Sequence, residues 1–471
     1  MRKSTVIFYG LLISAVLILP SVSPLLAQIP MIAFLSDRSG DSEIYLLFDN
    51  GVVERLTKNK SRTIDPDWSP DGKTIIFSSN KLGGEAYDIF LIDAETKKQT
   101  NLTEGQFGGN KQKPRWAPAG EPRATFEGPG LPDADNWDVG LMDLTTQQKL
   151  DIRDVVNITN IGGEGKGQDI EAAWSPDGTM IAFQGQRDGK FNIFIADMDL
   201  KKPGANQRNI TKALGTAQRP RWSPDGSTIL FESKKDGDWE IFSIGIDGND
   251  LQQLTNNEDT DRNAEWSTGG IVFESKRDGN FEIYRMDDDG SHPVNLTNND
   301  GLDSKPIWSP NGAKILFESR RDGDREIYVV DADGSNLQNL TDNPAKDTFA
   351  RWNPQFFFLA VEPQEKKLVT LGEVKHTMLL QNYPNPFNPE TWFPYYLSKD
   401  ASITMRIYNM SGKLVRLLAI GEQPAGAYVN QDRAVYWDGR DRLGQRVASG
   451  VYFYELQANE FSQTHRMVLM K

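Results

Sequence analysis

The sequence contains no cysteine, only three histidines and no long run of basic residues. Without thiols the chain has no disulfide framework, no thiolate metal site and no cysteine nucleophile. The formal net charge is −14. An acidic chain without a basic stretch is not expected to bind nucleic acid or an anionic membrane surface.

Long apolar runs are also absent, except for one at the amino terminus, from Val6 to Leu19. Two basic residues precede this run, and a proline and small residues follow it, which is the layout of a secretory signal peptide. The run is short for a membrane span of about 20 residues. We therefore predict a signal peptide over residues 1–27, cleaved after Ala27, with an uncleaved anchor as the alternative. No membrane span is expected after cleavage.

The rest of the chain is dominated by an internal repeat. A tryptophan followed by a turn recurs seven times, at intervals of 42 to 58 residues. The tryptophans are Trp68, Trp116, Trp174, Trp222, Trp266, Trp308 and Trp352. A strand-rich period mostly in the forties is typical of the blades of a β-propeller.

The repeat that begins at Trp222 shows why each unit has four strands. The sequence Ser-Pro-Asp-Gly at 223–226 favours a turn, and Ile229 and Phe231 then alternate as in a strand. A second turn at 235–237 precedes the strand that begins at Glu240. A third turn leads to a closing Leu-Thr strand, and a short strand precedes each tryptophan.

The two ends of the repeat array complete each other. Residues 32–57 contain the last three strands of a unit, whereas residues 348–354 contain only the first strand. Pairing them would close a ring and remove exposed sheet edges. We predict an all-β chain with a propeller over 28–357. Seven blades fit best, and six or eight remain open because the Trp116 unit is degenerate and carries an insertion.

These repeats resemble the TolB-like, WD40-like propeller family. The motifs W-S-P-D-G, R-D-G, E-I-Y and L-T recur together and in order over about residues 30–355. The resemblance implies a β-propeller. TolB itself has a separate α/β domain before its propeller, which the repeat region here lacks, so binding to the TolB partner lipoprotein is not carried over.

A second, smaller domain is predicted at 377–471, after a linker at 358–376. Four prolines between Leu379 and Leu397 disfavour a helix there, and several alternating segments after them favour a small β-sandwich. The motifs at 382–387, 437–441 and 450–454 resemble the immunoglobulin-like domain of flagellar hook-capping proteins. A similar domain ends many proteins exported by the type IX secretion system, so a sorting or surface-attachment role is one expectation and a structural module is the other.

Two motifs that suggest chemistry are explained by the repeat. The N-x-T sequons occur at one phase of the unit, at Asn101, Asn157, Asn209, Asn295 and Asn339, so we expect a structural role and not glycosylation. The segment that starts at Asp331 is similar to the opening of a calcium loop. Its twelfth residue is Asp342 and not glutamate, so a hairpin turn is the better interpretation.

Enzyme functions find little support in the sequence. The nucleophile motif G-x-S-x-G of serine hydrolases is absent. Two of the three histidines, His376 and His465, lie outside the repeats, so a cluster of histidines around a metal is not expected. We predict a non-enzymatic binding or scaffold protein without a cofactor, whose propeller recognises a protein or glycan partner. The alternatives are a polysaccharide-acting enzyme that uses carboxylates and a periplasmic TolB-like assembly factor.

Strand parity divides the propeller turns between two faces. The first face carries the turns between strands one and two and between strands three and four of each blade. We expect it to be acidic, with Asp71, Asp177, Asp225, Asp247, Asp289 and Asp333. The second face carries the turns between strands two and three and the links between blades. Its candidate partner-binding residues are Arg187, Lys234, Lys235, Lys276, Arg277, Arg320 and Arg321.

We expect the mature protein to be extracellular or at the cell surface, with the periplasm as the alternative. Its partners would then include the export and sorting machinery, besides the unidentified protein or glycan ligand.

Overall fold

The computed structural model describes residues 30–356 and 377–469, with internal gaps. The gaps are 60, 81–85, 105–107, 119, 121, 130, 132–136, 147–148, 151–153, 160–166, 188, 200, 213, 236, 381, 383–389, 411, 429–432, 443 and 460. The predicted signal peptide and linker, and much of the insertion in the Trp116 unit, therefore lie outside the described residues. The domain boundaries stay predictions.

The described part of the propeller consists of seven four-stranded antiparallel sheets, which we number as blades one to seven. Blade one contains β28 (Asp347–Trp352), β1 (Pro30–Ser36), β2 (Glu43–Phe48) and β3 (Val53–Arg55). Blade two contains β4 (Thr63–Trp68), β5 (Thr74–Ser79), β6 (Asp88–Asp93) and β7 (Gln99–Asn101). Blade three contains β8 (Gln112–Trp116), β9 (Arg123–Gly128), β10 (Asp138–Asp143) and β11 (Val155–Asn157). Blade four contains β12 (Asp169–Trp174), β13 (Met180–Arg187), β14 (Lys190–Asp197) and β15 (Ala205–Asn209).

The remaining blades follow the same order. Blade five contains β16 (Ala217–Trp222), β17 (Thr228–Ser233), β18 (Glu240–Gly245) and β19 (Gln252–Gln253). Blade six contains β20 (Asp261–Ser267), β21 (Gly270–Ser275), β22 (Glu282–Met286) and β23 (Val294–Asn295). Blade seven contains β24 (Asp303–Trp308), β25 (Lys314–Ser319), β26 (Glu326–Asp331) and β27 (Gln338–Asn339).

The ring closes through the two ends of the repeat array, as predicted. Strand β28 pairs antiparallel with β1, with Trp352 opposite Ile32 and Asp347 opposite Ser36. Each blade packs against the next around the ring, and blade seven packs against β28 of blade one. Because each end supplies strands that the other lacks, the edge of the array is paired within the chain.

The hydrophobic core is divided into clusters that each bridge two neighbouring blades. One cluster joins Leu35 and Ile44 of blade one to Trp68 and Phe77 of blade two. The repeat tryptophans lie at these boundaries. Five of them are only 5–7% exposed, namely Trp68, Trp116, Trp222, Trp308 and Trp352. Large buried aromatic side chains between sheets make the separate blades one packed unit.

The five sequons have a structural role within the blades. In each, the asparagine side chain accepts a hydrogen bond from the backbone N–H of the threonine two residues later, as in the 2.9 Å bond from Thr211 to Asn209. The threonine hydroxyl in turn accepts a bond from the backbone of the third strand, as in the 2.8 Å bond from Ile193 to Thr211. The motif therefore ties the outermost strand to its neighbour.

The C-terminal region folds as small antiparallel sheets around a separate core. One sheet has the order β33-β32-β36-β37, formed by β33 (Leu414–Gln423), β32 (Ala401–Asn409), β36 (Gly450–Ala458) and β37 (Phe461–Leu469). A second has the order β29-β31-β34, formed by β29 (Met378–Leu379), β31 (Tyr395–Leu397) and β34 (Gly426–Tyr428). Strand β30 (Thr391–Phe393) pairs with β35 (Val435–Trp437). The core includes Trp437 and Tyr454, both almost fully buried. This arrangement confirms the predicted immunoglobulin-like unit.

Within the residues described, we find no helix with the length and hydropathy needed to cross a bilayer.

Candidate binding surface

The seven predicted binding residues all lie in or directly beside the turns between the second and third strands of blades four to seven. Arg187 ends β13, and the other six lie just after β17, β21 and β25. The pairs are Lys234 with Lys235, Lys276 with Arg277 and Arg320 with Arg321. The structure divides these residues into two groups that have different roles.

Three of the arginines form ion pairs with buried aspartates at the start of the innermost strand of their own blade. Arg187 approaches Asp169 at 2.6 Å, and the equivalent distances are 2.7 Å for Arg277–Asp261 and 2.8 Å for Arg321–Asp303. Blade one has the same pair, Arg38–Asp347, at 2.7 Å. These aspartate side chains are at most 2% exposed.

The same arginines also pack over aromatic rings of the third strand. The Arg277 guanidinium carbon lies 4.7 Å from the ring centre of Tyr284, and that of Arg321 lies 4.8 Å from the ring centre of Tyr328. Cation–π contact and ion pairing together hold the turn against its own blade. These arginines therefore stabilise the blade, and their charge is already partly neutralised.

The other four candidates, Lys234, Lys235, Lys276 and Arg320, are exposed. The Lys234 ammonium lies 5.1 Å from the ring centre of Trp239, and it remains at the surface. Exposed cations therefore occur on three consecutive blades of the second face.

The sequence contained a signal that distinguishes the two groups. In every blade with the Arg–Asp pair, an aspartate lies five residues before the repeat tryptophan. Blade five has Ala217 at that position, and Lys235 occupies the place of the arginine. The arginine and the aspartate are thus both replaced in blade five, as expected for two residues that form a structural ion pair. Sequence reasoning missed this because it read each turn separately.

The innermost strands carry a second set of charges around the ring centre. At the residue before the tryptophan, these are Asp67, Arg115, Arg221, Glu265 and Arg351. Burial raises the pKa of the Asp67 carboxyl, while the nearby Arg115 and Arg351 oppose that shift. Arg221 lies 3.9 Å from Glu265. Anionic and cationic side chains are thus interspersed around the ring, and their charges largely compensate one another.

A tighter cluster lies between blades three and four. The Lys113 ammonium is 2.5 Å from Glu171 and 3.4 Å from Glu127. Burial raises the pKa of Glu127 to about 7, with Lys113 acting against it. Burial also favours the neutral form of Glu171, but Lys113, Arg221 and Arg219 together outweigh this effect and lower its pKa to about 2. One lysine therefore holds one ionised carboxylate and one carboxyl group that titrates near neutrality.

The acidic turns of the first face act mainly as local caps. Asp225 accepts hydrogen bonds from the Ser223 hydroxyl at 2.6 Å and from the Ser227 backbone at 3.0 Å. Asp333 accepts one from the Ser335 backbone at 3.0 Å. No group of three or more histidine or carboxylate side chains is placed to hold a metal ion among the described residues. The segment from Asp331 forms a hairpin turn, with the Gly334 N–H bonded to the Asp331 carbonyl.

Comparison with known proteins identifies both parts of the chain. The model of the TolB β-propeller domain family matches residues 139–273 and 268–381, which together span just over half of the chain. The FlgD Ig-like domain model matches residues 390–461.

Individual relatives match over shorter stretches. A TolB homolog of Chlorobium luteolum is 30% identical over 172 residues, which is 36% of this chain and 34% of the relative. The Tol-Pal system protein TolB of Geobacter sulfurreducens is 51% identical over 45 residues, 9% of this chain and 10% of the relative. The chain thus spans at most about a third of the length of these curated relatives.

Among solved structures, a puromycin-hydrolyzing peptidase of Mycobacterium tuberculosis has a TM-score of 0.53 at 14% identity, over 79% of this chain and 59% of the peptidase. A TolB from Acinetobacter baumannii has a TM-score of 0.44 at 17% identity, over 69% of this chain and 66% of that protein. At 14% identity, the likeness to the peptidase concerns the fold alone. Taken with the seven closed blades, the family match shows that this chain belongs to the TolB β-propeller domain family and carries a FlgD Ig-like domain at its C-terminal end.

Proposed function

We propose that this chain is a non-enzymatic binding protein of the cell envelope, whose second propeller face recognises a protein partner. The observation that carries the proposal is the group of exposed cations Lys234, Lys235, Lys276 and Arg320 on blades five to seven. In blades six and seven they extend from turns that Arg277 and Arg321 hold in place, and in blade five Lys234 lies over the Trp239 ring. Charged groups on rigid turns are suited to recognition because little conformational entropy is lost on binding.

The relatives support a protein partner in the envelope. Several are TolB proteins, and some are named as members of the Tol-Pal system. We infer from them a periplasmic location, which was the alternative expectation, before a cell-surface one. The net charge of the chain is −14, so a group of exposed cations is a local exception to its acidic character. We therefore expect the partner to present an acidic surface.

The C-terminal domain carries a separate proposal. Its FlgD Ig-like match fits a sorting or attachment module as well as a plain structural one. We propose that it sets the destination of the propeller after export, and deletion of the domain tests this role directly.

The experiment for the binding proposal is affinity capture with the full-length protein from the envelope fraction of the source cells. The test variant is the double charge reversal Lys276→Glu with Arg320→Glu. The matched control is Lys201→Glu with Lys202→Glu, which reverses two exposed charges on the first face. A specific partner lost with the test variant and kept with the control supports the second face. Equal capture by all three proteins would contradict it, and recovery of glycan instead of protein would reject the protein partner.

A further inference from the structure

A cleft on the first face separates blades five and six. Its volume is about 570 Å³, which is within the range of small-ligand sites. The turns after the third strands supply Asp247 and Asp250 from blade five and Asp288 and Asp289 from blade six. The Trp266 side chain forms part of the wall.

Trp266 differs from its counterparts in the other blades. In four blades the indole N–H donates to a backbone carbonyl on the innermost strand of the preceding blade, as Trp222 does to Ala173 at 2.9 Å. The Trp266 indole instead donates to the Asp288 carboxylate of its own blade, at 2.7 Å. Its side chain is only partly buried, as is that of Trp174, whereas Trp222 is 7% exposed.

A shorter turn accompanies this difference. In blade five Trp222 pairs with Ile229, whereas in blade six Trp266 pairs with Ile271, so the turn after it is two residues shorter. The Ser-Pro-Asp-Gly sequence is replaced by Ser-Thr-Gly-Gly at 267–270. Blade six therefore lacks the Ser-Pro-Asp-Gly turn that follows the tryptophan in the typical repeat.

The charge of the cleft is strongly negative. None of the described residues that line it is lysine or arginine. Arg208 is nearby and donates a hydrogen bond to the Ile246 carbonyl at 3.1 Å. Burial raises the pKa of Asp288, and the neighbouring carboxylates Asp287, Asp225 and Asp289 add to the shift. No cation is among the groups that shift the pKa of Asp288 itself. The nearest cationic side chains act on its neighbours, since Arg285 lies 3.9 Å from Asp287 and Arg208 lowers the pKa of Asp247.

Two features decide the kind of cation that fits. The described carboxylates are not grouped closely enough to coordinate a metal ion, so a compact divalent ion is disfavoured. A cleft of about 570 Å³ with an aromatic wall suits an extended organic cation, which can contact the indole and pair with carboxylates. We propose that this cleft is a second binding site, which takes an arginine or lysine side chain from a peptide segment of a partner protein.

This site is independent of the second face, because it lies on the opposite side of the ring and has the opposite charge. Its test uses purified full-length protein and a capped tetra-arginine peptide, with affinity measured by calorimetry. The test variant is Asp288→Asn with Asp289→Asn. The control variant is Asp331→Asn with Asp333→Asn, which removes the same charge from the equivalent turn of blade seven.

We expect the test variant to weaken peptide binding at least tenfold and the control to change it less than twofold. Trp266→Leu, which keeps every charge, should also weaken binding by about fivefold or more, since a cation over an indole is worth on the order of a tenfold affinity difference. A capped tetra-glutamine peptide should not bind. Equal losses in the test and control variants would show non-specific attraction to an acidic protein and would overturn the proposal, as would no binding by the unmodified protein. Melting curves of each variant show that loss of binding is not loss of folding.

Discussion

The Trp222 indole N–H donates a hydrogen bond to the Ala173 carbonyl 2.9 Å away, and this bond joins blade five to blade four. Equivalent bonds run from Trp68 to Arg351, from Trp174 to Arg115 and from Trp352 to Ile307. The tryptophan thus combines an apolar ring packed between sheets with a polar tip that satisfies a backbone group of the neighbour. A tryptophan that recurs once per repeat therefore helps to join successive blades into a ring.

Replacing Trp222 by alanine should lower the free energy of unfolding by about 3–5 kcal/mol, because it opens a cavity and leaves the Ala173 carbonyl without its partner. Urea denaturation followed by circular dichroism measures the loss. Trp239→Ala is the control: this tryptophan lies in a turn of the second face and is less buried. A change below about 1 kcal/mol for Trp222→Ala would show that the ring does not hold the blades together.

Replacing Arg277 by alanine should destabilise the protein by about 2–4 kcal/mol, because the buried Asp261 carboxylate loses its cation. Burial already raises the pKa of Asp261, and the loss of Arg277 should raise it further. The destabilisation should therefore be smaller at pH 5 than at pH 7.5, as Asp261 takes up a proton. The adjacent exposed residue gives a matched control, and Lys276→Ala should change stability by less than about 0.5 kcal/mol. Similar effects of the two substitutions would refute a structural role for the arginine.

Glu127 should make the protein less stable as the pH rises from about 5 to 7. Burial raises the pKa of Glu127 to about 7 in the folded state, whereas its pKa in the unfolded chain is near 4.5. Its contribution to the free energy of unfolding is therefore fully present below the unfolded-state pKa and is lost as the pH rises through 7. Glu127→Gln mimics the protonated acid and should remove this part of the pH dependence, about 1–3 kcal/mol across the interval. Paired urea titrations at pH 5 and 8 give the difference. Glu54→Gln, at an exposed ion pair with Lys97, serves as the control. Parallel curves for the unmodified protein and Glu127→Gln would contradict the assignment.

Deletion of residues 379–471 tests the destination set by the C-terminal domain. If the domain directs sorting, any fraction of the full-length protein that reaches the surface or medium should be lost on deletion, and the shortened protein should be found in the periplasm alone. Cell fractionation with immunoblotting measures this distribution, and melting of the shortened protein shows that the propeller is still folded. An unchanged distribution would reduce the domain to a structural module.

The fold could be predicted well from the sequence because the same pattern of turns and strands recurs in each blade. The tryptophan turn, the strand alternation and the complementary ends at 32–57 and 348–354 each have a local cause, and together they lead to the closed ring. The role of the N-x-T motif as a structural element was also predictable from its phase.

The surface roles were harder to predict because they depend on contacts between distant positions. Arg277 and Lys276 are adjacent in one basic turn, yet only the arginine reaches Asp261. The cleft at Trp266 was missed because the residue was read as one more member of the repeat. The shorter turn that follows it was visible in the sequence, but the altered hydrogen bond to Asp288 required three-dimensional structure.

The most direct test of the binding account is the affinity of the captured envelope partner for three full-length proteins. It is measured from association and dissociation rates on a sensor chip. These are the unmodified protein, Lys276→Glu with Arg320→Glu, and the first-face control Lys201→Glu with Lys202→Glu. The account predicts at least a tenfold weaker affinity for the second-face variant, with unchanged melting, and less than a twofold change for the control. Equal affinity of the second-face variant and the unmodified protein would contradict recognition by this face.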